Sequence, residues 1–388
     1  MNSAAVFSFT CPVKINSGNR ALEHLPFELA GLNASKPLVV VNAKAAGPKA
    51  VRTLLAAFGD SGMTPGLFEG VSEATDLGVV DHLKNLCLEK KYDAFIALGG
   101  GKAPDIAKVL NLAVSLKTPD ARRLSPETPL RHRLMPLAVV PTEGADGLET
   151  SQIACVGRMV FSGERLAPAL AVLDFRLAKG KSRIRTAATG LAALGRAAEA
   201  HIQADQNPFR KAYSFAALRF VRENLMDAVA DPGNPKAALA LMNAAAMSGC
   251  AFSNASAGRL HKLGQVFYEF LGIPQGVIMG MCLPRVLEDE FRQSSGDPAA
   301  LLQPLAGDEA FARTPAEKRS GEALSALKQF LAALRGSLGK ELPQNLKEAG
   351  VSGFRREEVL DLLRKDEDGP YLCGVVEWMT DGDRERKG

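Results

Sequence analysis

The apolar pattern of this chain changes once, near residue 185, and that change limits the folds open to it. Before it, short apolar runs alternate with amphipathic stretches, and after it long Ala- and Leu-rich stretches follow one another. Alternating strands and helices are typical of parallel α/β sheets, whereas strong helix formers at helical spacing indicate a helical fold. We therefore predict an α/β, Rossmann-like nucleotide-binding domain over residues 1–185. An all-α domain over residues 186–388 follows it, with a cleft between the two.

Composition excludes several classes of protein. The chain has 388 residues, of which 46% are apolar and 23% charged, and this balance excludes disordered and collagen-like chains. A net charge of +4, without a basic cluster, gives no support to a nucleic-acid partner. No apolar run reaches the roughly 18 residues of a membrane span, and no targeting signal opens the chain. The six cysteines form no C-x-x-C pair, which suggests reduced thiols and a cytoplasmic protein without a membrane partner.

The local patterns place individual elements. In the first domain we predict strands over 38–41, 66–68, 95–98 and 137–140, helices over 48–58 and 76–90, and an exposed loop over 117–133. In the second domain we predict helices over 187–203, 212–229, 235–248, 258–271 and 322–338, and a surface connection over 293–318.

A glycine run carries the strongest chemical signal. Gly99, Gly100, Gly101 and Lys102 join the strand over 95–98 to a helix. Glycines let the backbone turn sharply and approach a ligand, and the start of a helix presents N–H groups and a positive dipole end. The pattern predicts a phosphate site with Lys102 as an added cation. A tight turn without a ligand is the alternative, because no complete phosphate-binding motif is present.

Five segments in order resemble the iron-containing (group III) alcohol dehydrogenases. Gly99–Lys108 resembles the family's G-G-G-S-x-x-D-x-A-K, and Pro141–Glu149 resembles P-T-T-x-G-T-G-S-E. Ala171–Asp174 resembles A-x-x-D-P, Thr189–Ala200 resembles T-G-M-D-A-L-T-H-A-I-E-A, and Gly272–Gly276 resembles x-I-P-H-G. The resemblance covers nearly the whole chain. It implies a dehydroquinate-synthase-like fold and an NAD(P) cofactor. Because members of the family are commonly dimers or larger assemblies, it also makes a homodimer possible.

The resemblance also implies which residues meet the cofactor. The expected set is Gly100, Gly101, Lys102, Asp105, Thr142, Glu143 and Ser151. The family position that reads the adenosine ribose is usually Asp and is Asn42 here, with Lys44 close enough to meet a 2′-phosphate. We therefore expect NADP or NAD, with a slight preference for NADP. As an alternative, Asn42 only caps the following turn.

The resemblance places a divalent metal in the helical domain, but its ligands differ here. The family's Asp and three His correspond to Ala192, Arg196, His261 and Gln275. The additional His that follows the second ligand corresponds to Gln265. Ala cannot coordinate a metal, Arg cannot be deprotonated to do so, and a single imidazole does not hold Zn²⁺ or Fe²⁺. We therefore predict no catalytic metal.

A fixed organic cation is the expected replacement for that metal. Arg196 would stabilise a developing alkoxide or clamp a substrate carboxylate. His261 would donate a proton and Gln275 would orient the substrate. In the alternative, Arg196 pairs with Glu199 or another acid as a structural ion pair and His261 is a satisfied core histidine.

Two functions remain open at this point. The first is a metal-independent NAD(P)H-dependent reductase or dehydrogenase that acts on a small, anionic or activated carbonyl compound. The second is a catalytically silent relative that serves as a binding or assembly module. The second is supported by Glu143 and Asp146, which replace hydroxyl residues where a pyrophosphate is expected and would repel it. It is also supported by Leu148, which replaces Ser.

Overall fold

A computed structural model describes residues 6–72, 76–124, 134–142, 146–157, 159–178, 182–255, 258–293, 296–351 and 356–381. A parallel six-stranded sheet with flanking helices is followed by a helical region. This confirms the predicted fold class. The boundary predicted after residue 185 falls in the first turn of a helix that begins at Arg183, and it stays a prediction.

The main sheet has the strand order β1-β8-β5-β4-β2-β3 with every pair parallel. Its strands are β1 (Lys14–Ser17), β2 (Pro37–Asn42), β3 (Gly66–Val71), β4 (Ala94–Leu98), β5 (Leu137–Val140) and β8 (Leu170–Leu173). The remaining strands, β6 (Ile153–Val156) and β7 (Met159–Ser162), form an antiparallel hairpin that the sequence patterns did not predict. The sheet domain also contains α1 (Leu25–Gly31), α2 (Ala43–Ala56), α3 (Leu77–Lys90), α4 (Lys102–Ser115) and α5 (Phe175–Ala178).

Both faces of the sheet are buried, as continuous apolar strands require. Side chains alternate along β2, so that Leu38 and Val40 pack with residues of α3 and α4. Val39 and Val41 pack on the opposite face with residues of α1 and α2. The strands therefore lie between two layers of helix.

The chain reverses its direction across the sheet between β2 and β4. These strands are neighbours, but β3 lies outside β2 and β5 lies beyond β4. The connections that leave their carboxyl ends therefore diverge and open a crevice, which is where open α/β sheets bind ligands. Asn42 and Gly99, at or just after the carboxyl ends of β2 and β4, stand at this crevice.

The second part of the described chain is helical. Its helices are α6 (Arg183–Ile202), α7 (Pro208–Ala230), α8 (Pro235–Phe252), α9 (Arg259–Leu271), α10 (Gln275–Gln293), α11 (Leu302–Ala306), α12 (Asp308–Arg313), α13 (Arg319–Leu338), α14 (Arg356–Leu363) and α15 (Gly369–Asp381). The five helices predicted there are all present. Helix α6 is buried along most of its length, and its Leu191 lies in the same core as Leu225 of α7 and Leu260 of α9.

One local prediction differs from the structure. The segment 293–318, expected to be an exposed connection, contains α11 and α12, and its Leu301 and Leu302 are buried in the helical core. Its polar, Gly- and Pro-interrupted composition concealed these apolar contacts. Helix α2 is kinked at Gly47, whose φ of 71° and ψ of 160° are not helical, so the helix predicted over 48–58 is present as the part of α2 that follows the kink. The predicted loop over 117–133 is described only to residue 124 and contains a short 3₁₀ turn.

Within the described parts of the chain, we find no helix with the length and apolar character that crossing a bilayer demands.

Candidate active site

A cleft of about 170 Å³ lies at the crevice of the sheet, between it and the helical region. Both parts of the chain and the loop before β6 contribute to its wall. The residues that line it are Lys44, Ala45, Gly100, Gly101, Asp105, Asp146, Leu148, Arg185, Ala188, Thr189, Ala192, Gln265, Tyr268, Gly272, Pro274, Gln275 and Gly276. The structure therefore brings Gly100, Gly101, Asp105 and Gln275 of the predicted site together in one cleft.

The glycine run forms a backbone wall of this cleft. Gly99 and Gly101 have φ angles of 125° and 59°, a region that favours glycine. Helix α4 begins at the next residue, Lys102, and no side chain caps its N-terminus. Its first N–H groups and the positive end of its dipole therefore remain available for an anion. Across the crevice, Thr142 Oγ1 donates a hydrogen bond to the Ala45 carbonyl at 3.1 Å and ties two strand ends together.

Lys102 does not supply the cation that we expected beside the phosphate. Its side chain is 1% exposed, forms an ion pair with Glu269 of α9 and donates a hydrogen bond to the Cys155 carbonyl at 3.4 Å. A lysine held in this way joins the sheet domain to the helical region. The predicted anion site is therefore left with the backbone of Gly100, Gly101 and the start of α4.

Asn42 adopts the alternative role that we considered for it. Its side chain is buried and accepts a hydrogen bond from Ala45 N at 3.2 Å, which caps the start of α2. Lys44 is exposed and lines the cleft. Of these two residues, only Lys44 therefore lines the cleft.

The other predicted cofactor contacts divide between the cleft and the protein interior. Asp105 lines the cleft, and its Oδ1 has no hydrogen-bond partner among the described residues. Ser151 lies away from the cleft wall, because its hydroxyl accepts a hydrogen bond from the buried Lys108 Nζ at 3.0 Å. Glu143 lies outside the described residues.

Arg196 lies beneath the floor of the cleft and does not line it. The side chain is 2% exposed, donates one hydrogen bond to the Asp146 carbonyl, and donates another to Gln275 Oε1 at 2.9 Å. It forms no salt bridge with Glu199 in the described structure, because Glu199 instead accepts a hydrogen bond from Leu260 N at 2.7 Å. The structure therefore places Arg196 behind the residues that line the cleft, and among the described residues it forms no ion pair with Glu199 or another acid.

A chain of polar side chains extends from Arg196 across the cleft floor. Gln275 Nε2 donates a hydrogen bond to Gln265 Oε1, and Gln265 Nε2 donates one to Glu269 Oε1 at 2.8 Å. The same Glu269 oxygen accepts from Lys102. We call these five residues the polar chain. It connects the position of the expected metal with the start of the glycine-loop helix.

Buried carboxyl groups surround Arg196. Burial raises the pKa of Asp105 to about 7, that of Glu149 to about 8 and that of Glu199 to about 7. Each of the three has one carboxyl oxygen without a hydrogen-bond partner among the described residues. Burial also lowers the pKa of the Arg196 guanidinium, although these neighbouring acids act in the opposite direction. The Arg196 guanidinium is therefore a buried cation with several buried carboxyl groups close to it.

His261 is a buried, neutral histidine, and this corrects the proton-donor role predicted for it. Its ring packs 4.8 Å from the ring centroid of Phe252, and its Nδ1 has no hydrogen-bond partner among the described residues. Burial, and then the charge of Arg196, lower the pKa of His261 to about 3. This shift favours the neutral ring near neutral pH, and His261 is not among the residues that line the cleft.

The side chains at the expected metal position do not fit a divalent cation. Ala192 offers no ligand atom, Arg196 places a positive charge there, and Gln275 uses its carbonyl oxygen for Arg196. Among the residues that the structure describes, no three His, Cys, Asp or Glu side chains are grouped so as to hold a metal. The donor set is therefore one of amides and a guanidinium.

Glu269 is a site residue that the sequence patterns missed. It lies four residues after Gln265 on α9, so both side chains lie on the same face of the helix. That spacing was a usable signal, because Gln265 was already matched to a family position. The partner Lys102, 167 residues away, could not be found in this way.

The chain matches two models of known families. Residues 12–175 match the iron-containing alcohol dehydrogenase family, and residues 186–364 match the Fe-containing alcohol dehydrogenase family, C-terminal. Together these matches cover the sheet domain and most of the helical region.

Individual proteins give the same result. The probable alcohol dehydrogenase EutG of Escherichia coli is 32% identical over 206 residues, about half the length of each chain (52%). The 1,3-propanediol dehydrogenase of Klebsiella pneumoniae is 28% identical over 335 residues, 83% of this chain and 79% of that one. A solved structure of a 1,3-propanediol oxidoreductase shares the fold, with a TM-score of 0.85, 23% identity, and coverage of 96% of this chain and 100% of that one. The chain therefore belongs to the iron-containing alcohol dehydrogenase family and is an oxidoreductase of the CH–OH/C=O class.

Proposed function

We propose that this chain is a metal-independent, NAD(P)-dependent reductase or dehydrogenase of small carbonyl compounds that are anionic or chemically activated. The observation that carries the proposal is the Arg196 guanidinium, buried beneath the cleft floor and hydrogen-bonded to two residues that line it, Asp146 and Gln275. It supplies a fixed positive charge where the family resemblance places a metal.

The cofactor half of the cleft is built by the backbone. Gly100, Gly101 and the first turn of α4 would hold the pyrophosphate by N–H groups and the helix dipole. When bound, the nicotinamide supplies a hydride to the substrate carbon or takes one from it. A relative from Bacillus methanolicus is named an NAD-dependent methanol dehydrogenase. A preference for NADP remains a prediction that rests on Lys44.

Gln275 is the group that would contact the substrate oxygen. One N–H of its Nε2 serves Gln265, which leaves the second N–H unused by any described residue. Its carbonyl accepts from Arg196, and that charge polarises the amide and strengthens the remaining N–H as a donor. A donor of this kind, held in place by its other hydrogen bonds, stabilises developing negative charge on oxygen. Arg196 therefore acts through Gln275 as a positioning residue.

The charges of the cleft favour an anionic substrate. Lys44 and Arg185 line it and Arg196 lies below its floor, so these three cations outnumber the Asp146 carboxylate that also lines it. Asp105 also lines it, but the pKa of this carboxyl is raised to about 7 by burial, so much of it is neutral near pH 7. A carbonyl activated by a neighbouring carboxylate or a second carbonyl, such as a keto acid, would need less help than a simple aldehyde.

Asp105 is also the acid that we propose as proton source for carbonyl reduction. It lines the same cleft as Gln275, and a pKa near 7 suits proton exchange at neutral pH. His261 suits this role less well, because it does not line the cleft and its pKa is lowered by burial. The Asp105→Asn variant is expected to lose the titration near pH 7 from the rate profile of carbonyl reduction while still binding the reduced cofactor.

The decisive experiment is a double-mutant cycle on Arg196 and Gln275. We expect Arg196→Ala to lower kcat about a hundredfold, the usual loss for one oxyanion donor, with the Kd for NADH or NADPH unchanged. If Arg196 acts through Gln275, the Arg196→Ala and Gln275→Leu double variant loses little more than either single variant. Rates would be measured by the oxidation of reduced nicotinamide with a panel of aldehydes and keto acids.

Controls separate this role from a structural one. Arg210 is equally buried and pairs with Asp205 on the outer part of the helical region, so Arg210→Ala should cost stability but leave kcat of the folded protein intact. Metal chelators should leave turnover unchanged. Inhibition by a chelator, or an Arg196→Ala variant with full activity, would contradict the proposal. Cofactor binding without turnover of any carbonyl compound would instead support the silent relative considered above.

A further inference from the structure

Two cysteines far apart in sequence meet outside the cleft. The Sγ atoms of Cys11 and Cys250 are 3.3 Å apart, and one thiol donates a hydrogen bond to the other. Cys250 lies in α8 and is 1% exposed, whereas Cys11 is half-buried. The pair therefore combines one thiol that solvent reaches with one that it does not.

Hydrogen bonds hold the segment with Cys11 against the end of α8. We call residues 8–12 the N-terminal strap. Thr10 N donates to Asn254 Oδ1 at 2.7 Å, and Asn254 Nδ2 donates both to the Thr10 carbonyl and to the Cys250 carbonyl at 2.9 Å each. Asn254 thus bonds both to Cys250 and to Thr10, the residue before Cys11. These hydrogen bonds hold the two cysteines close together.

The two thiols differ in their readiness to ionise. The hydrogen bond from Cys250 lowers the pKa of the Cys11 thiol to about 6. The same contact, together with burial, raises the pKa of Cys250. Near neutral pH the accessible sulfur is therefore largely a thiolate and its neighbour is a thiol. An accessible thiolate beside a second cysteine is the arrangement of oxidation-sensitive pairs.

We propose that Cys11 and Cys250 are a modification site, at which a hydroperoxide forms an intramolecular disulfide. The Cys11 thiolate attacks the peroxide, the O–O bond breaks, the alcohol leaves, and Cys11 becomes a sulfenic acid. Cys250 then loses its proton, its sulfur attacks the Cys11 sulfur, and water leaves. The two thiols are oxidised by two electrons, and the peroxide is reduced to an alcohol and water.

The packing around α8 decides which side must move. A disulfide needs its sulfur atoms about 2.05 Å apart, so the present contact must shorten by about 1 Å. Helix α8 is held closely against the cleft loop, since there is no room for a Cβ at Gly249 beside the Gly147 carbonyl. Thr150 Oγ1 also donates to the Ala246 carbonyl at 2.7 Å. The strap therefore supplies the movement, and the cleft floor keeps its geometry.

The experiment uses the full-length, fully reduced protein treated with hydrogen peroxide. We expect non-reducing peptide mapping by mass spectrometry to show a Cys11–Cys250 linked peptide, lighter by two hydrogens and released by dithiothreitol. Because the bond closes a loop with a sequence separation of 239, it should also raise Tm. Turnover of a carbonyl substrate should be retained in the oxidised form.

Two variants make the result specific. Cys250→Ser should leave Cys11 as a sulfenic acid that dimedone traps, with no linked peptide and no rise in Tm. Cys373→Ser removes the other half-buried cysteine and should leave the linked peptide intact. A disulfide between two chains through Cys11, or Cys11 that a maleimide still labels in full after peroxide treatment, would overturn the proposal.

Discussion

The two walls of the cleft are made of different parts of the polypeptide. The glycine wall uses backbone: two positive φ angles and the uncapped start of α4. The opposite wall uses side chains carried by α6, α9 and α10, among them Gln265 and Gln275. A backbone site survives changes of sequence as long as its glycines remain, whereas a side-chain site changes its chemistry with a few substitutions. The half that we propose for the cofactor and the half that we propose for the substrate can therefore diverge independently in one family.

The walls also depend on close packing in different ways. At the glycine wall, glycine is needed for its backbone angles. At the side-chain wall, it is needed for space, because a Cβ at Gly276 would lie 1.7 Å from the Ala188 carbonyl. This contact brings the start of α10, and with it Gln275, against α6, which carries Arg196.

The largest effect is expected from a variant that breaks the contact between α6 and α10. Gly276→Ala should lower the free energy of unfolding by about 3 kcal/mol or more, because neither backbone can yield easily. Urea unfolding followed by circular dichroism measures the change. Gly336→Ala is the matched control in α13, where nothing lies within 4 Å of the added Cβ, and it should be neutral or stabilising by up to about 1 kcal/mol. Equal stability of the two variants would show that α6 and α10 are further apart.

The second effect tests the neutral state of His261. Its pKa in the folded protein is about 3, against an ordinary 6.5, so below pH 6.5 the unfolded chain takes up a proton that the native protein does not. The contribution of the neutral His261 ring to the free energy of unfolding is thus lost as the pH falls from 6.5 toward 3. His261→Gln removes this titration, and relative to the wild type it should gain about 3 kcal/mol between pH 8 and pH 4. Unfolding curves at both pH values measure it, and a relative loss at pH 4 would mean that folding favours the imidazolium.

Most of the fold, but less of the candidate site, could be predicted from the sequence. Strands such as β2 and β4 were predictable because their apolar runs are continuous and bounded by turn residues. The burial of Leu301 and Leu302 was not, because two leucines among Gly, Pro and polar residues give no periodic signal. Local patterns predict an element where the pattern is long, and they fail where burial is decided by contacts from distant parts of the chain.

The same limit applies to individual site residues. The positions of Gly100, Gly101, Asp105 and Gln275 in one cleft could be predicted, since motifs in a known order place them. The pairing of Lys102 with Glu269 could not, because it joins positions 167 residues apart across two parts of the fold. For Arg196 the residue type predicted a cation, but its place below the floor depends on which neighbours accept its hydrogen bonds. Residue type therefore indicated the chemistry, and tertiary packing decided which groups meet the substrate.

The smallest of these effects separates cofactor binding from stability at the glycine wall. Gly101 has φ 59° and ψ −121°, so alanine there carries backbone strain of about 1–3 kcal/mol. We expect Gly101→Ala to weaken NADH or NADPH binding about tenfold, measured by nicotinamide fluorescence, because the loop must turn away from the anion site to relieve the strain. Gly62→Ala is the matched control: its φ is also positive, at 73°, and it lies away from the cleft with open space around it. It should cost similar stability and leave the Kd unchanged. If both variants bind the cofactor like the wild type, the dinucleotide is not held by this backbone. The proposed difference between a backbone wall for the cofactor and a side-chain wall for the substrate would then be wrong.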